Sequence, residues 1–227
     1  MFDFKELINT FKEDSLMNTI INEFSLMIED GRWMFEEIGE SLLRGDSPEN
    51  HKQELYDRDL RLNKTERSIR KKVVEHITLN PRNDLSTCLV MFSAAKDAER
   101  LGDYCKNLLE VSMLMNGRRY PDSIFPHIKS THQMISQFFT RTAKAFSDVD
   151  TEDAHKIMEA IRSLTHECDG HIKEINESQE IMKNYEVVTS VLTFRYFKRV
   201  AAHISNIASG IINPAHKIDY FGKETDN

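Results

Sequence analysis

Apolar residues recur at alternating steps of three and four along most of this chain, and little interrupts them. The first such stripe comprises Leu16, Ile20, Phe24, Met27, Gly31, Met34, Ile38 and Leu42. This spacing places the apolar side chains on one face of an α-helix. The 227 residues include only 8 glycines and 5 prolines, so helices of roughly 25–35 residues, about 40–50 Å long, are expected. The chain is predicted to be all-α.

Five segments separate the predicted helices; residues 148–153 cap the fifth helix, and the break before the sixth, near Asn184, is weakly marked. Ser47 and Pro48 suit an N-cap and a first helical position, residues 80–84 form a second break, and residues 116–126 form the longest. The predicted helices span residues 4–44, 48–79, 84–116, 124–147, 151–183 and 186–212. Six long amphipathic helices predict two tandem three-helix bundles, side by side or end to end. We place the first repeat at residues 1–118 and the second at residues 119–227.

Composition excludes several classes of protein. A net charge of −7 disfavours nucleic-acid binding, which requires a basic face. No stretch approaches the ~18–20 apolar residues of a membrane span, and the polar, acidic start MFDFKELINTFKED is unlike a signal peptide. Cys88, Cys105 and Cys168 are an odd, widely spaced set, which predicts reduced, buried thiols in a cytoplasmic protein.

Acidic residues interrupt two of the apolar stripes. The stripe of the second helix passes through Asp59 and Glu66, and that of the third passes through Glu99 and Asp103. Residues four apart lie one turn above each other on a helix, so Glu99 stacks with Asp103 and Asp59 with Asn63. The predicted stripe of the third helix comprises Leu85, Phe92, Ala95, Glu99, Gly102, Leu109 and Met113. Gly102 would allow a close approach of another group.

Buried carboxylates must be neutralised by protons, by basic side chains or by metal ions. Oxygen ligands on facing helices suit iron, manganese or magnesium. The candidate ligands are Asp59, Asn63, Glu66, Glu99 and Asp103. Two other interpretations stay open. The acids could pair with nearby basic residues (Lys64, Arg67, Arg70 and Arg100), or the buried face of each helix could be rotated slightly from the predicted one, so that these acids lie at the boundary with solvent beside basic neighbours.

Other chemical motifs are weak. A di-metal carboxylate enzyme needs two Glu-x-x-His pairs, and only Glu152 with His155 has that spacing. His166, Cys168 and His171 have the composition of a zinc site but not its spacing. Catalytic triads, phosphate loops and nucleotide motifs are absent from the sequence. We therefore predict a protein that is not an enzyme.

The acidic stretches resemble those of the PhoU family of phosphate-uptake regulators. Residues 97–103, DAERLGD, followed by YCKNLLE, are similar to the third helix of that family. Residues 59–69, DLRLNKTERSI, are similar to its second helix. The family is a tandem repeat of three helices, so the resemblance extends across the whole chain and implies the same two-repeat fold.

The second repeat is a degraded copy of the first. An offset of 106 residues matches Asn63 with Asp169, and an offset of 99 matches Arg100 with Arg199. The four acids of the first repeat then correspond to Thr165, Ile172, Lys198 and Ala202. A second metal site is therefore in doubt. We hypothesise that Lys198 faces Asp169, so that a fixed ammonium replaces a missing cation.

The resemblance implies a cytoplasmic, dimeric, metal-binding regulator. Its partners would be a phosphate transporter or a sensor kinase at the membrane. Asp97, which points away from Glu99, is predicted to contact a partner. The main alternative is a helical scaffold or adaptor without metal dependence, and a less favoured one is a di-metal carboxylate enzyme.

Overall fold

The computed structural model describes residues 15–46, 49–79, 85–213 and 217. These residues contain six α-helices and no strand, which confirms the predicted fold class. The helices are α1 (Ser15–Arg44), α2 (Glu49–Leu79), α3 (Leu85–Met115), α4 (Phe125–Asp148), α5 (Thr151–Glu177) and α6 (Asn184–Ile212).

The observed helix ends agree with the predicted ones, with one exception. Helix α5 ends at Glu177 rather than at residue 183, because Ser178 adopts an extended backbone conformation. Asp150 caps the start of α5 by accepting a hydrogen bond from the Asp153 backbone at 2.9 Å. The predicted cap at Ser47 and Pro48, the start of the first helix and the turn at residues 80–84 lie outside the described residues.

The two three-helix units lie side by side. Helices α1, α2 and α3 contact one another, α6 packs against both α4 and α5, and the two units meet where α3 contacts α6 and α1 contacts α4. The predicted stripe of α1 is buried from Ile20 to Leu42. On α4, Ile128, Ile135, Phe138 and Ala145 are likewise buried. The three cysteines are free and buried, as predicted.

The stripe predicted for α3 was wrong at both ends. Leu85 is 50% exposed and Met113 is 36% exposed. Helix α3 contacts α1, α2 and α6, so it is buried on several sides and its periodicity does not mark a single inner face. Asp97 and Glu99 are buried along with the apolar residues between and around them.

His132 of α4 is a buried, titratable residue in the contact between the two units. It is 4% exposed and stacks on Phe35 of α1 with ring centroids 5.0 Å apart. Burial lowers the pKa of His132 below its ordinary value of 6.5, against smaller opposing effects of Glu40 and the Phe35 backbone. The folded protein therefore holds this ring in its neutral form near neutral pH.

His132 should make the protein less stable in acid. The unfolded chain binds a proton at His132 at a higher pH than the folded chain does, so stability is lost as pH falls through about 6.5 toward the lower folded value. Urea unfolding of the wild type and His132→Gln between pH 7.5 and 5.5 should show a steeper loss in the wild type. Equal slopes would mean that His132 does not titrate differently on folding.

Candidate functional site: the acidic cluster of α2 and α3

Four carboxylates of α2 and α3 make up what we call the acidic cluster. Asp59 of α2 and Asp103 of α3 meet at Lys106, whereas Glu66 and Glu99 pair with basic residues of their own helices. Asp59, Glu66 and Glu99 are 7%, 8% and 6% exposed, and Asp103 is partly exposed. Gly102 brings the helices together, because a Cβ atom there would lie 2.5 Å from Cδ1 of Leu62. The close approach predicted for Gly102 is therefore made by a side chain of α2.

Each acid of the cluster lies next to a basic side chain. Lys106 Nζ lies 2.9 Å from Asp59 Oδ1 and 3.0 Å from Asp103 Oδ1. Glu66 pairs with Arg70 at 2.9 Å. Two further pairs complete the network: Glu99 with Lys96 at 2.6 Å, and Asp103 with Arg100 at 3.2 Å. The protein thus supplies the positive charge that buried carboxylates require.

The sequence indicated two of these basic partners, Arg70 and Arg100, but not the other two. Lys96 and Lys106 each lie three residues from an acid of the cluster on the same helix, a spacing that brings side chains into contact. Lys106 also reaches across to Asp59 of α2, and this second contact depends on the packing of the two helices.

These residues do not fit a metal ion in their present arrangement. Asn63 donates its side-chain amide to the Asp59 backbone carbonyl at 2.9 Å, so it does not extend toward the acids. Nowhere in the described ranges do three His, Cys, Asp or Glu side chains form a group able to hold a metal. Lysine and arginine side chains already supply the positive charge for which a metal ion was expected. Binding of iron, manganese or magnesium at Asp59, Asn63, Glu66, Glu99 and Asp103 stays a prediction.

Lys106 occupies the place where a cation would lie between α2 and α3. Burial disfavours its charge, but its contacts with Asp59 and Asp103 outweigh burial and raise its pKa. Lys106→Gln should leave two facing carboxylates without an ammonium and so raise the affinity for Mn²⁺ by about tenfold or more. Calorimetric titration would measure this, with Lys64→Gln, an equal charge loss at an exposed site of α2, as the control. Equal Mn²⁺ affinities of the wild type and Lys106→Gln would refute this role.

A polar cleft of about 380 Å³ adjoins the acidic cluster. It is lined by Tyr56, Arg100, Asp103, Tyr104, Lys106, Asn107 and Glu110. Tyr56 is 42% exposed and the Arg100 side chain is 48% exposed. We call these lining residues the mixed-charge cleft. It presents phenol rings and both signs of charge to solvent, a combination suited to contact with another protein.

Asp97 is buried against another helix of the same chain, so the prediction that it meets a partner protein was wrong. It is 7% exposed and lies against α6 of the second repeat. Its Oδ1 atom is 2.7 Å from His203 Nδ1 and accepts a hydrogen bond from Asn206 Nδ2 at 2.9 Å. Because α3 packs against α6, the side of α3 opposite Glu99 is an internal contact between the repeats.

Matched positions of the two repeats meet in this contact. Tyr104 and His203, which are 99 residues apart, stack with ring centroids 5.5 Å apart. Arg199 donates a hydrogen bond to the Tyr104 hydroxyl at 2.9 Å. Residues that the offset of 99 matches in sequence, Tyr104 and His203, are thus also in contact where α3 packs against α6.

The second repeat carries an ion pair where the acids are missing. Lys198 Nζ lies 2.5 Å from Asp169 Oδ2, which confirms that these two side chains face each other. The remaining motifs do not form sites with several ligands. Glu152 is 80% exposed and pairs with Lys156, away from the core, while Cys168 is buried and His166 is exposed.

Comparison with known proteins assigns the family. The sequence model described as "PhoU domain" matches residues 24–112 and again residues 128–211. The chain belongs to the PhoU family. Members of this family are regulators rather than enzymes. The two matches cover both helical repeats, including the one that has lost its acids.

A solved structure shows the same fold. The chain is similar to the crystal structure of PhoU from Pseudomonas aeruginosa, with a TM-score of 0.76 and 16% sequence identity. The similarity covers 88% of this chain and 96% of that one. No curated protein sequence matches the chain. Among the described residues of this PhoU-family chain, no helix is long and apolar enough to cross a membrane.

Proposed function

We propose that this chain regulates phosphate uptake or phosphate signalling by docking on a protein partner. The two matches to the PhoU domain carry the phosphate assignment. The partner would be a phosphate transporter or a sensor kinase at the periphery of the membrane. A cytoplasmic location and a homodimer belong to the same proposal. Light scattering should then give twice the chain mass of 26.4 kDa.

The docking surface in this proposal is the mixed-charge cleft. Exposed charges at a protein interface steer association and select partners, and tyrosine and arginine are enriched among residues that dominate binding. Arg100 and Asp103 are accessible but already form an ion pair with each other. A partner with its own acidic and basic side chains would replace this ion pair with new ones across the interface. The contact of Lys106 with Asp59 joins α3 to α2 beneath this surface.

Phosphate transport in cells tests the proposal. A strain that lacks this chain should lose the normal adjustment of phosphate uptake when external phosphate changes from scarce to abundant. Uptake of radiolabelled phosphate measures this directly, and uptake of an unrelated anion such as sulfate is the control. Unaltered phosphate uptake and unaltered phosphate-responsive gene expression in that strain would contradict a phosphate-related role. A general helical adaptor would then be the better interpretation.

A further inference from the structure

A small cleft in the second repeat lies apart from the acidic cluster and plays no part in the proposed function. It is bounded by the start of α4, the end of α5, the connection from α5 to α6, and Phe194 of α6, and it has a volume of about 130 Å³. A single water molecule needs only ~10–15 Å³ on this measure, and a cavity of about 150 Å³ admits benzene. The cleft therefore has room for a small planar group.

Three rings line one side of this cleft, those of His127, His171 and Phe194. The His127 and His171 rings lie 4.4 Å apart between centroids, tilted by 39°. The His171 ring in turn lies 5.0 Å from that of Phe194. The buried residues Ile124 and Ile175 contribute further apolar surface. Such a wall favours a flat group that stacks on rings.

Among the described residues that line the cleft, two carry carboxylates, Glu174 and Glu180, and none is a lysine or arginine. Glu174 Oε2 lies 3.0 Å from His171 Nδ1, which fixes the direction of both side chains. Glu180 Oε2 accepts a hydrogen bond from the Ser123 hydroxyl at 2.8 Å, which holds the α5–α6 connection against the start of α4. The acidic lining gives the cleft a negative potential and so favours a positively charged ligand.

We propose that this cleft binds a guanidinium group, presented by an arginine side chain of a partner protein. Guanidinium is planar, stacks on aromatic faces and makes two parallel hydrogen bonds to a carboxylate. It is also less strongly hydrated than an ammonium, so it enters a partly apolar cleft at lower cost than lysine. The inference concerns the second repeat alone and does not depend on the phosphate-related role.

Nuclear magnetic resonance of the full chain tests the proposal. The probes are methylguanidinium, an acetylated Gly-Arg-Gly amide, and the same peptide with neutral citrulline in place of arginine. The arginine peptide should shift the ring signals of His127 and His171 at concentrations up to about 10 mM, while the citrulline peptide should not. A response to methylguanidinium as well would show that the group itself suffices, and a response to the peptide alone would show that recognition includes the peptide backbone.

Matched variants locate the binding. Glu174→Gln/Glu180→Gln should weaken binding of the arginine peptide by about tenfold or more. Glu167→Gln/Glu177→Gln, an equal loss of two charges on the exposed surface of α5 outside the cleft, should bind it as the wild type does. Equal responses to arginine and citrulline, no response to either, or unchanged binding by the double variant would overturn the proposal. The first two results come from the wild type and so do not depend on the variants folding.

Discussion

Gly39→Ala should lower the free energy of unfolding by about 3 kcal/mol. A Cβ atom at position 39 would lie 2.0 Å from Nε2 and 2.2 Å from Cδ2 of His132. The imidazole cannot swing aside easily, since it is buried and stacked on Phe35 and its centroid lies 6.1 Å from that of Phe197. Helices α1 and α4 would have to separate, and this contact joins the two repeats. Equilibrium unfolding in urea measures the effect.

The same substitution at Gly170 provides the matched control. Gly170 also lies within a helix, but a Cβ atom there would meet no atom within 4 Å. Gly170→Ala should therefore stabilise the protein by about 0.5–1 kcal/mol. Adding His132→Ala to Gly39→Ala should recover part of the loss. Similar effects of the two glycine substitutions would show that α1 and α4 do not approach as closely as described.

Asp97→Ala should destabilise the protein by about 3 kcal/mol. The substitution removes the acceptor shared by His203 and Asn206 at the contact between α3 and α6. Both partners would be left partly buried with an unmet hydrogen bond, which costs more than the loss of an exposed contact. Urea unfolding should show the loss, and the chemical shifts of His203 should change.

Asp57→Ala is the control for the loss of Asp97. Asp57 is exposed on α2 and accepts one hydrogen bond, from Gln53 at 3.0 Å. Its removal should change the stability by less than about 0.5 kcal/mol. A double-mutant cycle of Asp97→Ala with Asn206→Ala should give a coupling free energy of about 1 kcal/mol or more. A coupling free energy near zero would mean that Asp97 does not stabilise the contact between the repeats through Asn206.

The sequence predicted the fold well because the relevant information was local. The stripe from Ile20 to Leu42 and the scarcity of glycine and proline defined long helices without any knowledge of their neighbours. Asp150 acted as a cap for the same reason, since a cap depends only on the next few residues. The end of α5 was missed because nothing within residues 178–183 is a strong helix breaker.

The contacts between helices were harder to predict from the sequence. The burial of Asp59 and Glu66 was predicted correctly from the stripe of α2, but their neutralisation depends on which basic residues the packing brings near. Asp97 was misplaced because a pattern on α3 does not reveal that α6 covers its opposite side. The contact between Lys198 and Asp169 was predictable, because the internal repeat matches these residues with positions of α2 and α3 that were expected to face each other.

The ion pairs change the interpretation of the acidic cluster. The metal prediction rested on buried acids that only a cation could neutralise. Lys96, Arg70, Arg100 and Lys106 already supply positive charge to those acids, so the docking that we propose does not depend on a metal ion. We therefore propose that the functional surface is the exposed part of the mixed-charge cleft, which is open to a partner.

Phosphate uptake in cells that carry altered cleft residues tests this account most directly. Tyr56→Ala/Glu110→Lys changes two exposed residues of the cleft and leaves the ion pairs beneath intact. Glu159→Lys places an equal charge change on the exposed surface of α5. The cleft variant, expressed at the wild-type level, should fail to adjust phosphate uptake as external phosphate rises, while the α5 variant should behave normally. Normal adjustment by the cleft variant in a strain whose uptake depends on this chain would contradict the account.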